Sequence, residues 1–193
     1  MARGKKHDFA SFFEAAVGLK YVRRAGWAAK VGVKDAESVA DHSFAMCAVG
    51  MALSDILGLD TRKVLKMIVL HDLAESIVGD YMPGEVSAGQ KQREENDAMK
   101  KILASLPPKV RKDYSKIWSE YSQGRTIEAR FVHRADKFEM ALQAARYAKD
   151  GYPKEVLAQF FDSAHKAVDN SDNDDDILTE ILKSLNPIST KKS

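Results

Sequence analysis

Three segments of the sequence place ionisable side chains where a helical pattern calls for apolar ones. His42 lies between Val39 and Met46 in a stripe whose members recur at steps of three and four residues, which is the spacing of one helix face. His71 and Asp136 occupy comparable positions in two later segments. A carboxylate buried without a partner costs several kcal/mol, so Asp136 must be paired, hydrogen-bonded or bound to a metal ion.

Each of these side chains taken alone has a simpler explanation. A single histidine on an apolar face is more often a hydrogen-bonded core residue, and a buried aspartate usually pairs with lysine or arginine. Lys137 and Arg134 are close to Asp136 in sequence, but adjacent residues leave a helix about 100° apart, so we expect Lys137 to be a poor partner. One divalent cation would satisfy all the groups at once, because imidazole and carboxylate ligands suit such ions. The pattern therefore favours a metal site.

The order of these residues resembles the metal-dependent HD superfamily, whose signature is a histidine, an adjacent His-Asp pair and a distant aspartate. Within that superfamily, the local sequence is similar to the HD-domain 5'-deoxynucleotidases. The similar segments, which cover about residues 19–147 in the same order, are Arg24-Ala25-Gly26-Trp27, Glu37 to Ser43, His71 to Ser76, Gly79-Asp80 and Ala135-Asp136-Lys137. The resemblance implies an all-α HD-domain helical bundle that binds a divalent cation through His42, His71, Asp72 and Asp136. Asp41 departs from the family's more frequent glutamate, but it is not an expected ligand.

Two further acids follow the His-Asp pair closely. Glu75 comes three residues after Asp72 and therefore points to the same side of a helix. Asp80 follows Gly79, where a glycine can turn the chain back over the site. The resemblance implies that both are catalytic carboxylates that do not bind the metal. We assign water activation to Glu75 and protonation of the leaving group to Asp80, and the reverse assignment stays open. The alternative is that they are a solvated helix residue and a turn residue.

The substrate-binding side of the prediction rests on Arg24 and Trp27. A guanidinium donates paired hydrogen bonds to phosphate, and an indole can stack on a base or close off one face of a sugar. By itself an Arg-x-Gly-Trp unit is a weak motif, and core packing would be the simpler explanation for Trp27. Beside the HD motifs it resembles the family's nucleotide-binding element. Glu37 and Ser38 are predicted to line the same pocket.

The implied reaction is hydrolysis of a 2'-deoxyribonucleoside 5'-monophosphate to nucleoside and phosphate. The residues themselves indicate only a metal site suited to phosphoester hydrolysis, and the deoxyribose preference comes from the resemblance. We hypothesise that Trp27 crowds the ribose 2'-hydroxyl. Two alternatives stay open: an HD hydrolase for another nucleotide phosphoester, and an HD module that binds a metal or nucleotide without turnover. The metal could be Co²⁺, Mn²⁺, Zn²⁺, Fe²⁺ or Mg²⁺.

The whole chain has the composition of an ordinary globular protein. It has 193 residues, of which 45% are hydrophobic and 30% are charged, so we expect a single domain over 1–188 and a disordered tail over 189–193. A net charge of +2, with basic and acidic residues interleaved, argues against a nucleic-acid partner. No segment approaches the ~20 apolar residues of a membrane span, and the single Cys47 cannot form an internal disulfide. We therefore expect a cytoplasmic protein with a small-molecule substrate.

Hydrophobic periodicity, caps and breakers predict helices nearly throughout. The predicted helices span about residues 8–24, 38–57, 61–76, 88–105, 109–121, 126–149, 154–168 and 175–185, with a loop over 25–37. In the helix over 154–168, Val156, Leu157, Phe160, Phe161 and Ala164 extend the apolar surface beyond one narrow stripe. We therefore expect a homodimer, as the resemblance also implies.

Overall fold

The computed structural model describes residues 9–82, 84–169 and 177–185, and these form an all-helical bundle without a strand. The helices are α1 (Ala10–Gly18), α2 (Ala25–Val31), α3 (Val39–Ile56), α4 (Thr61–His71), α5 (Glu75–Val78), α6 (Ala88–Ala104), α7 (Pro108–Gln123), α8 (Ile127–Lys149), α9 (Lys154–Asp169) and α10 (Ile177–Leu185). A 3₁₀ turn (Leu19–Tyr21) follows α1. The all-α prediction is confirmed, and the predicted tail over 189–193 lies outside the described residues.

Side-chain caps explain where most helices begin. Ser38 accepts a hydrogen bond from the backbone N–H of Asp41, whose carboxylate accepts one from the backbone of Ser38, so α3 starts with a capping box. Asp60, Ser87 and Thr126 accept the equivalent N–H bonds at the starts of α4, α6 and α8. These polar residues satisfy backbone donors that the first turn of a helix leaves unpaired.

The helices differ from the prediction at three places, and all of them lie beside the predicted site. The first helix ends at Gly18 instead of residue 24, because residues 22 and 39 are tied by a backbone hydrogen bond that holds the chain extended. The expected loop over 25–37 contains α2. The helix expected over 61–76 stops at His71, and a turn at Asp72 separates α4 from the short α5.

The core is organised around α8, which packs along α9 and also against α3, α4, α7 and α10. Its buried residues include Phe131, Val132, Ala135, Phe138 and Ala141, so it is enclosed on more than one face. Helices α3 and α4 pack closely at Gly50, where an added Cβ would lie 2.3 Å from Cδ1 of Ile68. This packing brings the predicted ligands on α3, α4 and α8 together.

The exposed apolar side chains are not on α9, where the sequence predicted them. In α9, Leu157, Phe160, Phe161 and Ala164 are buried, so the expectation that this helix exposes extra apolar surface is wrong. The reason is that α9 packs against α2 and α10 as well as α8, which covers a wide part of its circumference. Large exposed apolar side chains occur instead near the N-terminus and on α3, at Phe13, Val17, Tyr21, Phe44 and Met51. None of the described helices combines the length and apolar character needed to cross a bilayer.

Candidate active site

A cavity of about 720 Å³ opens between α2, the α4–α5 turn, α6, α7, α8 and α9. Its wall contains most of the residues that the sequence singled out, namely Arg24, Trp27, His71, Asp72, Glu75, Asp80 and Asp136. His42 lies directly behind this wall and is fully buried. Arg24 and Asp136, which are 112 positions apart in the chain, therefore meet at one place.

Three of the four predicted metal ligands form one cluster, and the fourth, Asp136, lies next to it at His42. Nε2 of His71 lies 3.0 Å from Oδ2 of Asp72. Nε2 of His42 lies 3.3 Å from Oδ1 of Asp136 and 3.8 Å from Oδ2 of Asp72. Ligand atoms of His42, His71 and Asp72 all fall within 4.8 Å of one another. Donors bound to one ion at about 2.1 Å and at right angles would be about 3 Å apart, so the spacing suits a single cation.

Both imidazoles have one nitrogen engaged by the protein and one without a protein hydrogen-bond partner. Nδ1 of His42 lies 2.5 Å from Oε2 of Glu139, and Nδ1 of His71 lies 2.6 Å from the carbonyl oxygen of Ile68. Both Nε2 atoms are buried and face carboxylate oxygens, but neither makes a well-aligned hydrogen bond with the protein. Buried polar atoms without partners are costly and rare. A neutral imidazole that donates through Nδ1 presents the Nε2 lone pair, so the two histidines and two carboxylates fit a divalent metal ion.

Local backbone structure explains how each ligand is aimed. His42 sits in the first turns of α3, whose start is set by the capping box of Ser38. His71 is the last residue of α4, and Asp72 is the first residue outside it, with φ −110° and ψ 9°. The helix therefore ends within the His-Asp pair, and the turn directs both side chains to the same centre. Asp136 reaches it from the middle of α8.

Arg24 balances the negative charge of this centre. Its guanidinium lies 3.5 Å from Asp72 and 3.9 Å from Asp136. Burial alone would lower the pKa of Arg24, but the carboxylates of Asp136, Asp72 and Asp80 outweigh it and raise that pKa. Burial likewise opposes ionisation of Asp72, yet His71 and Arg24 lower its pKa. The arginine is thus held beside the carboxylates of Asp72 and Asp136.

Asp136 has a second cationic neighbour that the sequence argument rejected. Nζ of Lys137 lies 2.8 Å from Oδ2 of Asp136. The expectation of poor pairing is wrong, because the long and partly exposed lysine side chain curls back along the helix surface. Burial opposes ionisation of Asp136, but Lys137 and His42 lower its pKa well below the ordinary value. The aspartate is thus an anion with Oδ1 directed toward His42.

The two predicted catalytic acids have different surroundings. The side chain of Glu75 is buried, and its Oε2 makes no hydrogen bond. Burial and the nearby carboxylates of Asp72 and Asp80 raise the pKa of Glu75 to about 10. Oδ2 of Asp80 instead accepts a hydrogen bond of 2.8 Å from the backbone N–H of Ala25. Asp80 therefore fastens the start of α2, and with it the neighbouring Arg24, to the loop after α5.

The four predicted substrate-binding residues separate into two groups. Arg24 and Trp27 line the cavity, although Trp27 is only 1% exposed and packs between Tyr147 and Phe160. The indole N–H donates a 2.8 Å hydrogen bond to Glu37. Glu37 and Ser38 are absent from the described cavity wall, since Glu37 lies behind the indole and Ser38 caps α3. Their substrate-binding role stays a prediction.

Glu139 is the main residue that the sequence argument missed. It is 2% exposed and its carboxylate contacts His42. A signal was present, because Glu139 follows Asp136 by three residues on the same helix face and is flanked by Phe138 and Met140. An acid in such an apolar stretch calls for the same explanation as Asp136.

Comparisons with known proteins point to one group of enzymes. The profile of the HD domain family matches residues 16–174. The chain is 37% identical to 5'-deoxynucleotidase HDDC2 of Dictyostelium discoideum, over 81% of this chain and 87% of that protein. It is also 37% identical to 5'-deoxynucleotidase HDDC2 of Homo sapiens, over 75% of this chain and 71% of that protein. Among solved structures, the PH0347 protein from Pyrococcus horikoshii superposes with a TM-score of 0.76 at 30% identity, covering 91% of this chain and 96% of that chain.

Proposed function

This chain belongs to the HD-domain family, and from that membership we propose that it is a metal-dependent 5'-deoxynucleotidase, releasing phosphate from 2'-deoxyribonucleoside 5'-monophosphates. The observation that carries the proposal is the pair of buried Nε2 atoms of His42 and His71, each of which faces a carboxylate oxygen 3.0 or 3.3 Å away without a well-aligned hydrogen bond. A phosphatase site also needs proton-transfer groups and a phosphate-binding cation. Glu75, Asp80 and Arg24 line the same cavity.

His42, His71, Asp72 and Asp136 would hold the metal. When bound, a divalent ion supplies positive charge that polarises the phosphoryl group and acidifies nearby water and carboxyl groups. Arg24 binds the phosphate through paired N–H donors. We assign removal of a proton from the attacking water to Glu75, whose pKa is raised in the metal-free protein and would be lowered by the positive charge of a bound ion. The bond between the water oxygen and phosphorus forms as the bond from phosphorus to O5' breaks, and the departing O5' takes a proton from Asp80, which must enter this step in its protonated form.

The finer features of this proposal concern selectivity, assembly and the metal. We propose that Trp27 restricts space beside the sugar and so favours deoxyribose. We also propose a homodimer, supported by the exposed apolar side chains near the N-terminus and on α3, including Tyr21 at 81% and Phe44 at 78% exposure. Co²⁺, Mn²⁺, Zn²⁺, Fe²⁺ and Mg²⁺ all accept this donor set in principle. A cytoplasmic location stays a prediction.

The test is phosphate release from a panel of nucleotides by metal-stripped protein that is re-supplied with one ion at a time. We expect release from deoxyribonucleoside 5'-monophosphates in at least one metal. Cyclic nucleotides or nucleoside polyphosphates as the preferred substrates would point instead to another HD phosphohydrolase.

A matched pair of variants separates catalysis from mere binding. Glu75→Gln should lower kcat about 100-fold or more while the protein keeps its fold and its metal, because the substitution removes a proton acceptor but no predicted metal ligand. Glu85→Gln, which changes an exposed carboxylate outside the cavity wall, should retain full turnover. Equal turnover in both variants would contradict the catalytic role of Glu75.

A further inference from the structure

The buried imidazole of His42 is held between two carboxylates from the same helix. On one side, Oδ1 of Asp136 lies 3.3 Å from Nε2. On the other side, Oε2 of Glu139 lies 2.5 Å from Nδ1. The two acids are three residues apart and therefore neighbours on one face of α8. Each ring nitrogen thus has its own carboxylate, and both are positioned by a single rigid element.

We infer that Glu139 is a positioning residue, which holds His42 with its proton on Nδ1 and its Nε2 lone pair directed at the metal centre. This inference rests on the proposed metal site. An ionised carboxylate accepts hydrogen bonds and donates none, so its short contact with His42 places the proton on Nδ1 when Glu139 is ionised. With Nδ1 protonated, a neutral imidazole has its lone pair on Nε2.

The surroundings of Glu139 make this role specific. Its side chain is 2% exposed, and burying an isolated carboxylate is unfavourable unless a partner compensates. His42, the partner, is itself fully buried, so water does not compete for the hydrogen bond between the two side chains. The second histidine differs, because Nδ1 of His71 contacts the neutral backbone carbonyl of Ile68. A carboxylate strengthens the imidazole as a ligand more than a neutral acceptor does, so His42 should be the stronger donor.

The first experiment measures Zn²⁺ affinity by competition with a chelator. Glu139→Gln should bind zinc about 10–100-fold more weakly than the wild type, which is the usual effect of removing such an outer partner. The control is Glu128→Gln, which changes a partly buried acid of α8 that lies 3.2 Å from Lys63 and does not contact His42. The control should match the wild type. Equal zinc affinity in all three proteins would overturn the inference and leave the proposed function standing.

The second experiment needs no variant and so does not depend on whether Glu139→Gln folds. In zinc-loaded wild-type protein labelled with ¹⁵N at histidine, we expect a protected proton on Nδ1 of His42 and zinc on Nε2. A proton on Nε2, or zinc on Nδ1, would overturn the inference. If the wild-type protein binds no divalent ion at all, both the inference and the proposed function fail.

Discussion

Replacing Glu37 with glutamine should stabilise the protein at neutral and higher pH. Glu37 accepts a hydrogen bond from Trp27, and its backbone N–H donates one to the hydroxyl of Tyr147. Burial, together with the nearby carboxylate of Glu139, raises the pKa of Glu37 from 4.5 to about 7. Glutamine keeps a carbonyl oxygen for the indole but has no charge to bury.

The sign and size of the effect follow from proton linkage. Between pH 4.5 and about pH 7 the unfolded protein has released the proton of Glu37 and the folded protein retains it, so stability falls as the pH rises. The pKa difference between 4.5 and about 7 corresponds to about 3.5 kcal/mol, at about 1.4 kcal/mol for each pH unit. Because the side chain is partly exposed, solvent screening reduces this, and we expect about 1–2 kcal/mol.

The assay is urea denaturation of metal-free protein at pH 5 and at pH 8. At pH 5 the wild type and Glu37→Gln should have similar free energies of unfolding, and at pH 8 the variant should be more stable. Glu14→Gln, which changes an exposed acid of α1, serves as the control for a general charge effect and should follow the wild type. If Glu37→Gln and wild type keep the same difference at both pH values, the reasoning about Glu37 is refuted.

Three further predictions follow from the packing and the metal site. Ser38→Ala should lower the free energy of unfolding by about 1 kcal/mol, measured by urea denaturation, because it removes the capping bond to Asp41; an unchanged value would contradict the role of the cap. Trp27→Ala should cost about 3–5 kcal/mol in the same assay, so selectivity is better tested with Trp27→Phe, which should turn over dAMP and AMP at a lower ratio. An unchanged ratio would reject the crowding of the 2'-hydroxyl. Adding a divalent ion to the metal-free protein at 100 times its Kd should raise the free energy of unfolding by about 2.7 kcal/mol, seen as a rise in Tm. A constant Tm would argue against a metal site.

The candidate site residues could be chosen from the sequence because chemistry and periodicity are local properties. His42, His71 and Asp136 stand out against apolar helix faces, and motif order supplied the resemblance that comparison with known proteins then supported. Helix starts were equally accessible, because caps such as Ser38 act within one turn. The assignment of roles to Glu75 and Asp80 remains a prediction.

Contacts across helices required the tertiary structure. Periodicity reports that one face of a helix is apolar, but it does not report which neighbour covers that face. The burial of α9, the position of Glu37 behind Trp27 and the contact between Glu139 and His42 all depend on such neighbours. The end of α4 at His71 also required the structure, because helix propensity continues through the following residues, whereas the backbone turns at Asp72. Sequence therefore determined which groups are available for chemistry, and the fold decided their distances, partners and charge states.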